Sequence, residues 1–274
     1  MLTNESEIYK NNLGNALFAL NGNLQIPTLG QDCWWFDSMR IKGNYRASLA
    51  GGVTSLGFID VSGVSTAGWG TGNLCILGFF GSYRVIQSND TGVHPPWTDI
   101  GTPSLNTTNN ASSLILGYRV YFQKYITGSS LSNVMKVMNN AGNGYRIAFM
   151  FSSVPGDDCL KVIVGNTSTS YTYSTLGKIS ATSLKNKWAN IIVYMDYANN
   201  YLKMWINGAL IIATATGITA GNFPNTNSAV TKIYGDDGGF VGYCSYARLT
   251  KNGSLTDDQA IVYTHLMEMA TLQN

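Results

Sequence analysis

Between residues 188 and 214 the chain alternates apolar and polar positions with a period of two, and it reverses direction twice. Ile191, Val193 and Met195 fall on one face of a first run. Leu202, Met204 and Ile206 fall on one face of a second, out of phase with Tyr201, Lys203 and Trp205. A helix would scatter these side chains around its circumference, whereas a strand gathers them on one face. The breaks are Asp196-Tyr197-Ala198-Asn199-Asn200 and Asn207-Gly208. The second break joins two residue types that tolerate positive φ, so it predicts a tight hairpin turn into a third strand over 209–213.

The rest of the chain follows the same rule. Leu114, Leu116, Tyr118, Val120 and Phe122 alternate with Ile115, Gly117, Arg119, Tyr121 and Gln123, which predicts a long strand with one face more apolar than the other. Residues 134–138 have the length of a short helical turn, but an Asn/Gly-rich stretch and the β-rich run 145–151 follow them, so a hairpin fits better. A strand at 159–164 continues the meander. In the N-terminal third, 34–41, 53–61, 74–80 and 83–87 read as strands between Gly-rich turns, and 88–113 reads as a long surface loop. That loop is not a domain boundary, because neither side of it holds enough strands to close a sandwich. The expectation is one domain over 1–274, with the pattern clearest over 113–274.

One helix is expected, at the C-terminus. Thr256, Asp257, Asp258 and Gln259 have the spacing of a capping box, and two carboxylates in the first turn complement the helix dipole. Val262, Leu266 and Met269 then supply an apolar stripe.

Composition narrows the function. Asp, Glu, Lys and Arg make up 12% of the residues and the net charge is +2, against roughly 25% charged residues in ordinary domains. No run of cations offers a phosphate-binding footprint, so nucleic acid is not an expected partner. No segment is apolar for the ~18–20 residues of a membrane span, and membrane insertion is not expected. The acidic stretch Met1 to Glu7 does not resemble an export signal. The four cysteines, Cys33, Cys75, Cys159 and Cys244, are widely spaced in apolar surroundings and read as buried thiols rather than metal ligands.

The ordered series of a Trp-led strand (188–196), a second strand ending in Asn207-Gly208, then Phe240-Val241-Gly242-Tyr243, Arg248-Leu249 and the capped helix resembles the concanavalin A-like lectin/glucanase superfamily, in particular its laminin-G-like sandwiches. The resemblance covers about residues 113–270. It implies an all-β antiparallel β-sandwich, a laminin-G-like jelly roll, with a short C-terminal helix. It implies no single function, since the superfold hosts many.

Glycosidases of this kind need a pair of closely spaced carboxylates, normally two Glu on one strand face. Here the only Glu residues are Glu5, Glu7 and Glu268, all near the termini. The only histidines are His94, in a Pro-rich loop, and His265, on the terminal helix. A nucleophile motif accompanies neither. No catalytic residue is expected. Laminin-G-like domains often bind Ca²⁺ through loop oxygens, and Asp157, Asp158, Asp236 and Asp237 suit that hard cation; the same residues also serve as ordinary turn caps. For carbohydrate, Trp69, Trp97 and Tyr173 lie in segments expected to be exposed, whereas Trp34, Trp35 and Trp188 are expected in the core. Trp205 alternates away from its apolar neighbours, so it either packs under another element or faces a partner.

These readings converge on a non-catalytic protein of a bacteriophage particle's surface (tail fibre, baseplate or head decoration), made in the host cytoplasm. Expected partners are other virion proteins, copies of itself and a host-surface glycan, with no cofactor beyond Ca²⁺. The alternatives are an extracellular lectin or adhesin module and, behind it, a divergent glycoside hydrolase.

Overall fold

The computed structural model describes residues 29–37, 75–80, 83–88, 98–99, 112–125, 131–138, 144–150, 158–165, 170–217, 230–233 and 240–272. The strand expected at 53–61 lies outside them. The described residues form two antiparallel sheets and one helix: the strands are those the alternation predicts, and the all-β sandwich is the one the resemblance implies.

The larger sheet holds β1 (Gln31–Asp37), β2 (Cys75–Phe80), β3 (Tyr83–Ser88), β5 (Ser113–Tyr125), β10 (Trp188–Asp196), β11 (Tyr201–Ile206), β12 (Ala209–Ala215) and β14 (Phe240–Lys251). Its order is β12-β11-β10-β5-β14-β3-β2. Along one side β14 pairs with β5; along the other it pairs with β3 at Tyr243 and Cys244 and with β1 from Tyr246 onward. The smaller sheet runs β4 (Thr98–Asp99), β13 (Val230–Ile233), β6 (Leu131–Met138), β7 (Gly144–Met150), β8 (Cys159–Gly165) and β9 (Ser170–Ser174). Residues 134–138 are thus strand, paired with β7 as a hairpin. At Asn207 and Gly208 φ is 51° and 81°, which closes the β11–β12 hairpin with both central residues left-handed.

The main core lies between the sheets. Leu114, Leu116, Tyr118, Val120 and Phe122 of β5 are fully buried, as are Leu160, Val162 and Val164 of β8. Ile191, Val193, Leu202, Met204 and Ile206 of the β10–β11 hairpin join them, as expected. Each such side chain contributes about 1.5–3 kcal/mol of burial. Cys159 is a buried thiol.

Part of the opposite face of the large sheet is buried as well, because α1 (Asp257–Leu272) lies across β10, β5, β14 and β3. Thr256 Oγ1 accepts from the Gln259 N–H (3.2 Å) while Gln259 Oε1 accepts from the Thr256 N–H (3.0 Å), the reciprocal capping box expected. Val262 of the expected stripe is buried, and the packed face of the helix extends beyond that stripe. Ala260, Tyr263 and Met267 enter a core with Ile115, Ile192 and Trp205, and Leu266 packs at its margin. Trp205 therefore packs under another element, with its side chain fully enclosed. Gly117 makes room for this layer: a Cβ there would lie 2.2 Å from the Tyr263 hydroxyl.

Candidate functional site

Where β9 ends, Thr175 builds a rigid turn. Its N–H donates to the Leu160 carbonyl (3.0 Å), and its own carbonyl accepts from the Lys178 (2.9 Å) and Ile179 (3.1 Å) N–H groups. Its hydroxyl accepts from the Leu160 N–H (3.0 Å) and donates to the Ile179 carbonyl (2.8 Å). Thr175 is completely buried, so these bonds are shielded from water. Gly177 takes φ = 75°, and no heavy atom lies within 4 Å of the position its Cβ would occupy.

The turn forms one wall of a cleft of about 320 Å³ lined by Asp158, Leu176, Gly177, Lys178, Ile179 and Ser180. Leu176 is 53% exposed. The Lys178 ammonium donates to the Ile211 carbonyl on β12, tying the turn to the other sheet. Asp158 Oδ1 accepts from the Thr182 N–H (2.9 Å) and Ser180 Oγ from the Ser183 N–H (3.1 Å), so both hold the 3-10 turn Thr182–Leu184 behind the cleft. The lining joins one anion, one cation, a hydroxyl and an apolar surface on a backbone that need not move. That suits an uncharged polyhydroxyl ligand with an apolar face.

A second polar cluster lies under the last turns of α1. Arg119 Nη1 donates to Asn190 Oδ1 (2.8 Å), and Asn190 Nδ2 donates to Glu268 Oε1 (2.8 Å). Arg119 Nη1 is also 3.8 Å from Glu268 Oε1, and His265 Nδ1 is 3.2 Å from Glu268 Oε2. The Arg119 guanidinium lies 4.9 Å from the Trp188 ring centre, and Tyr121 meets Trp188 edge-on at 5.7 Å. With both Glu268 oxygens engaged, the carboxylate straps helix to sheet; a single carboxylate in this setting is not the pair that glycoside hydrolysis requires.

Of the site residues expected from sequence, Asp158 reaches the cleft, where one carboxylate oxygen caps a backbone turn. Tyr173 stands on β9 two residues before Thr175, but it is half-buried and its hydroxyl is enclosed, whereas the sequence suggested exposure. Trp69, Trp97, Asp157, Asp236 and Asp237 lie outside the described residues. Among the described residues, no group of three or more His, Cys, Asp or Glu gathers as a metal site would require. Trp188, expected in the core, is half-buried beside Arg119. Sequence reasoning passed over Leu176, Gly177, Lys178 and Ser180, because a short loop with one lysine carries no motif.

No protein-family model matches the sequence, and no curated protein does. The fold has counterparts among solved structures. The binding domain of botulinum neurotoxin DC in complex with rat synaptotagmin II superposes with a TM-score of 0.54 at 11% identity, over 71% of this chain and 45% of that one. A structure titled as showing that cell entry of botulinum neurotoxin type C depends on interaction with two ganglioside molecules gives 0.54 at 12%, over 70% and 45%. The neurotoxin DC binding domain in complex with SialylT gives 0.51 at 12%, over 70% and 44%. The chain thus spans less than half the length of these structures. At such identity the likeness is one of fold.

Proposed function

We propose that this chain is a non-catalytic glycan-binding module whose ligand occupies the cleft at 158 and 176–180. The observation that carries this reading is the pre-organised turn. Thr175 fixes the backbone from beneath, so Leu176 meets a ligand without a further ordering of the main chain, beside a Lys178 ammonium already placed by the Ile211 carbonyl. In this reading the Leu176 side chain lies against the C–H face of a sugar ring, while Ser180 and the second Asp158 oxygen take hydroxyls. The solved neighbours add support of fold, and two of their titles record a ganglioside or SialylT as ligand. The laminin-G-like resemblance, and display on a bacteriophage particle as an attachment or assembly protein, belong to the same proposal. They rest on the sequence pattern over 113–270 and on the weakly charged composition.

The test is a glycan array followed by titration calorimetry on the best hit, with wild type, Leu176→Asp and Lys178→Ala. Leu176 is exposed, so Leu176→Asp should keep the wild-type melting temperature, and Lys178→Ala gives up one exposed hydrogen bond to Ile211, about 1 kcal/mol. Each should bind at least about tenfold more weakly, the loss of roughly 1.4 kcal/mol. Binding untouched by both substitutions, or no bound glycan at all, overturns the assignment. A chelator arm separates a calcium-dependent site from the direct one, and steady release of reducing ends would disprove the non-catalytic reading.

A further inference from the structure

β12 ends the large sheet, and among the described residues no strand pairs with its outer side. Its sequence, Ala-Leu-Ile-Ile-Ala-Thr-Ala, carries no charge and no proline. Natural sheets usually protect an edge with charges, prolines or bulges, because the unpaired N–H and C=O groups recruit another strand; of these devices β12 has only a bulge, at Ile211. The phase of the ladder shows which groups point outward. The Thr216 N–H donates to the Asn200 carbonyl (2.7 Å). Hydrogen-bonded and non-bonded pairs alternate in an antiparallel ladder, so the Leu202–Thr214 pair is bonded, while Ala213 and Ala215 direct their backbone groups away from β11. The bulge opposite Met204 and Trp205 admits Ile211 to the same outer row, and its carbonyl takes the Lys178 ammonium. Exposed apolar surface runs beside this edge. Leu210 is 41% and Ile261 of α1 is 37% exposed, and they are linked through Gly208, whose Cβ position lies 3.8 Å from Ile261.

We infer that β12 is a self-association edge, which pairs antiparallel with β12 of a second copy about a two-fold axis at Ala213. A second copy fits better than a charged peptide, because an uncharged strand facing its own image meets no like charge and needs no complementary one. About 23 Å of edge, with the helix layer beside it, covers on the order of 500 Å² per copy. That is just below the ~1,200–2,000 Å² total of stable interfaces, so the dimer is weak. Lys178 is a partial guard, because its ammonium must leave the Ile211 carbonyl before Ala215 of the other copy can bond there.

Sedimentation velocity from about 1 to about 300 µM reads the association directly. Ala213 is exposed, so Ala213→Glu should keep the fold; its carboxylate stands opposite Lys203, whose ammonium also holds Asp257 at 2.9 Å. Across the axis it meets its own charge, and association should weaken at least about tenfold. Ala213→Gln, of the same shape and neutral, should dimerise as the wild type does. Lys178→Ala should tighten the dimer by removing the guard. A wild type that stays monomeric over the whole range overturns the inference. So does a dimer indifferent to Ala213→Glu, since its interface would lie elsewhere.

Discussion

Replacing Thr175 with Val tests the physical basis of the cleft. The two side chains have nearly the same shape, so the exchange opens no cavity; it deletes one hydroxyl. That hydroxyl accepts the Leu160 N–H at 3.0 Å and donates to the Ile179 carbonyl at 2.8 Å, on a residue with no exposed surface. The Leu160 N–H is then left buried without an acceptor, at a cost of about 1–3 kcal/mol. The Ile179 carbonyl is half-buried and recovers water in part, which adds roughly 0.5–1 kcal/mol. The sum is about 1.5–4 kcal/mol, or a fall in Tm of roughly 3–7 °C for a chain of this size. Thr175→Ser keeps the hydroxyl and loses one methyl, so it should cost only about 1 kcal/mol. Urea unfolding followed by circular dichroism gives both values, and hydrogen exchange at the Leu160 amide reports the site itself. If Thr175→Val falls within about 0.5 kcal/mol of Thr175→Ser, the buried hydroxyl does not organise the turn. The pre-organisation argument for the cleft then fails with it.

Two further outcomes follow from the helix layer and the β10–β11 turn. Gly117→Ala would put a Cβ 2.2 Å from the Tyr263 hydroxyl and 2.5 Å from the ring carbon that bears it. It should cost about 1–3 kcal/mol by overpacking, with part of the loss recovered in Gly117→Ala/Tyr263→Leu; equal costs in both backgrounds would rule out that contact. At Asp196, burial pushes the carboxyl up, but hydrogen bonds from the Asn199 side chain and backbone, the Tyr194 hydroxyl and the Ala198 backbone outweigh it and hold the group below its ordinary value. A carboxyl depressed in the folded state adds stability above its unfolded pKa and loses it as pH falls through the folded one. The advantage of wild type over Asp196→Asn should therefore be full at neutral pH and fade below about pH 4; an advantage that grows on acidification would contradict this.

Local chemistry was enough to establish the strands of 113–125 and 188–215, the Asn207-Gly208 turn and the capped start of α1. Each is decided within a few residues, by side-chain alternation, by tolerance of positive φ, or by a hydroxyl and an amide three positions apart. The alternation put Ile191, Val193 and Met195 on one buried face of β10 and said nothing of the other face, which is buried as well. Only the tertiary structure decided that α1 forms a third layer, because the helix and the face it covers are far apart in sequence. That layer makes a core residue of Trp205, adds Ala260, Tyr263 and Met267 to the helix's packed face, and turns Glu268 from a terminal residue into the partner of Asn190 and His265. The cleft was illegible for the same reason. Asp158, Thr175 and Lys178 acquire their roles through Thr182 of the 3-10 turn, Leu160 of the paired strand and Ile211 of the other sheet, partners that no spacing along the chain announces.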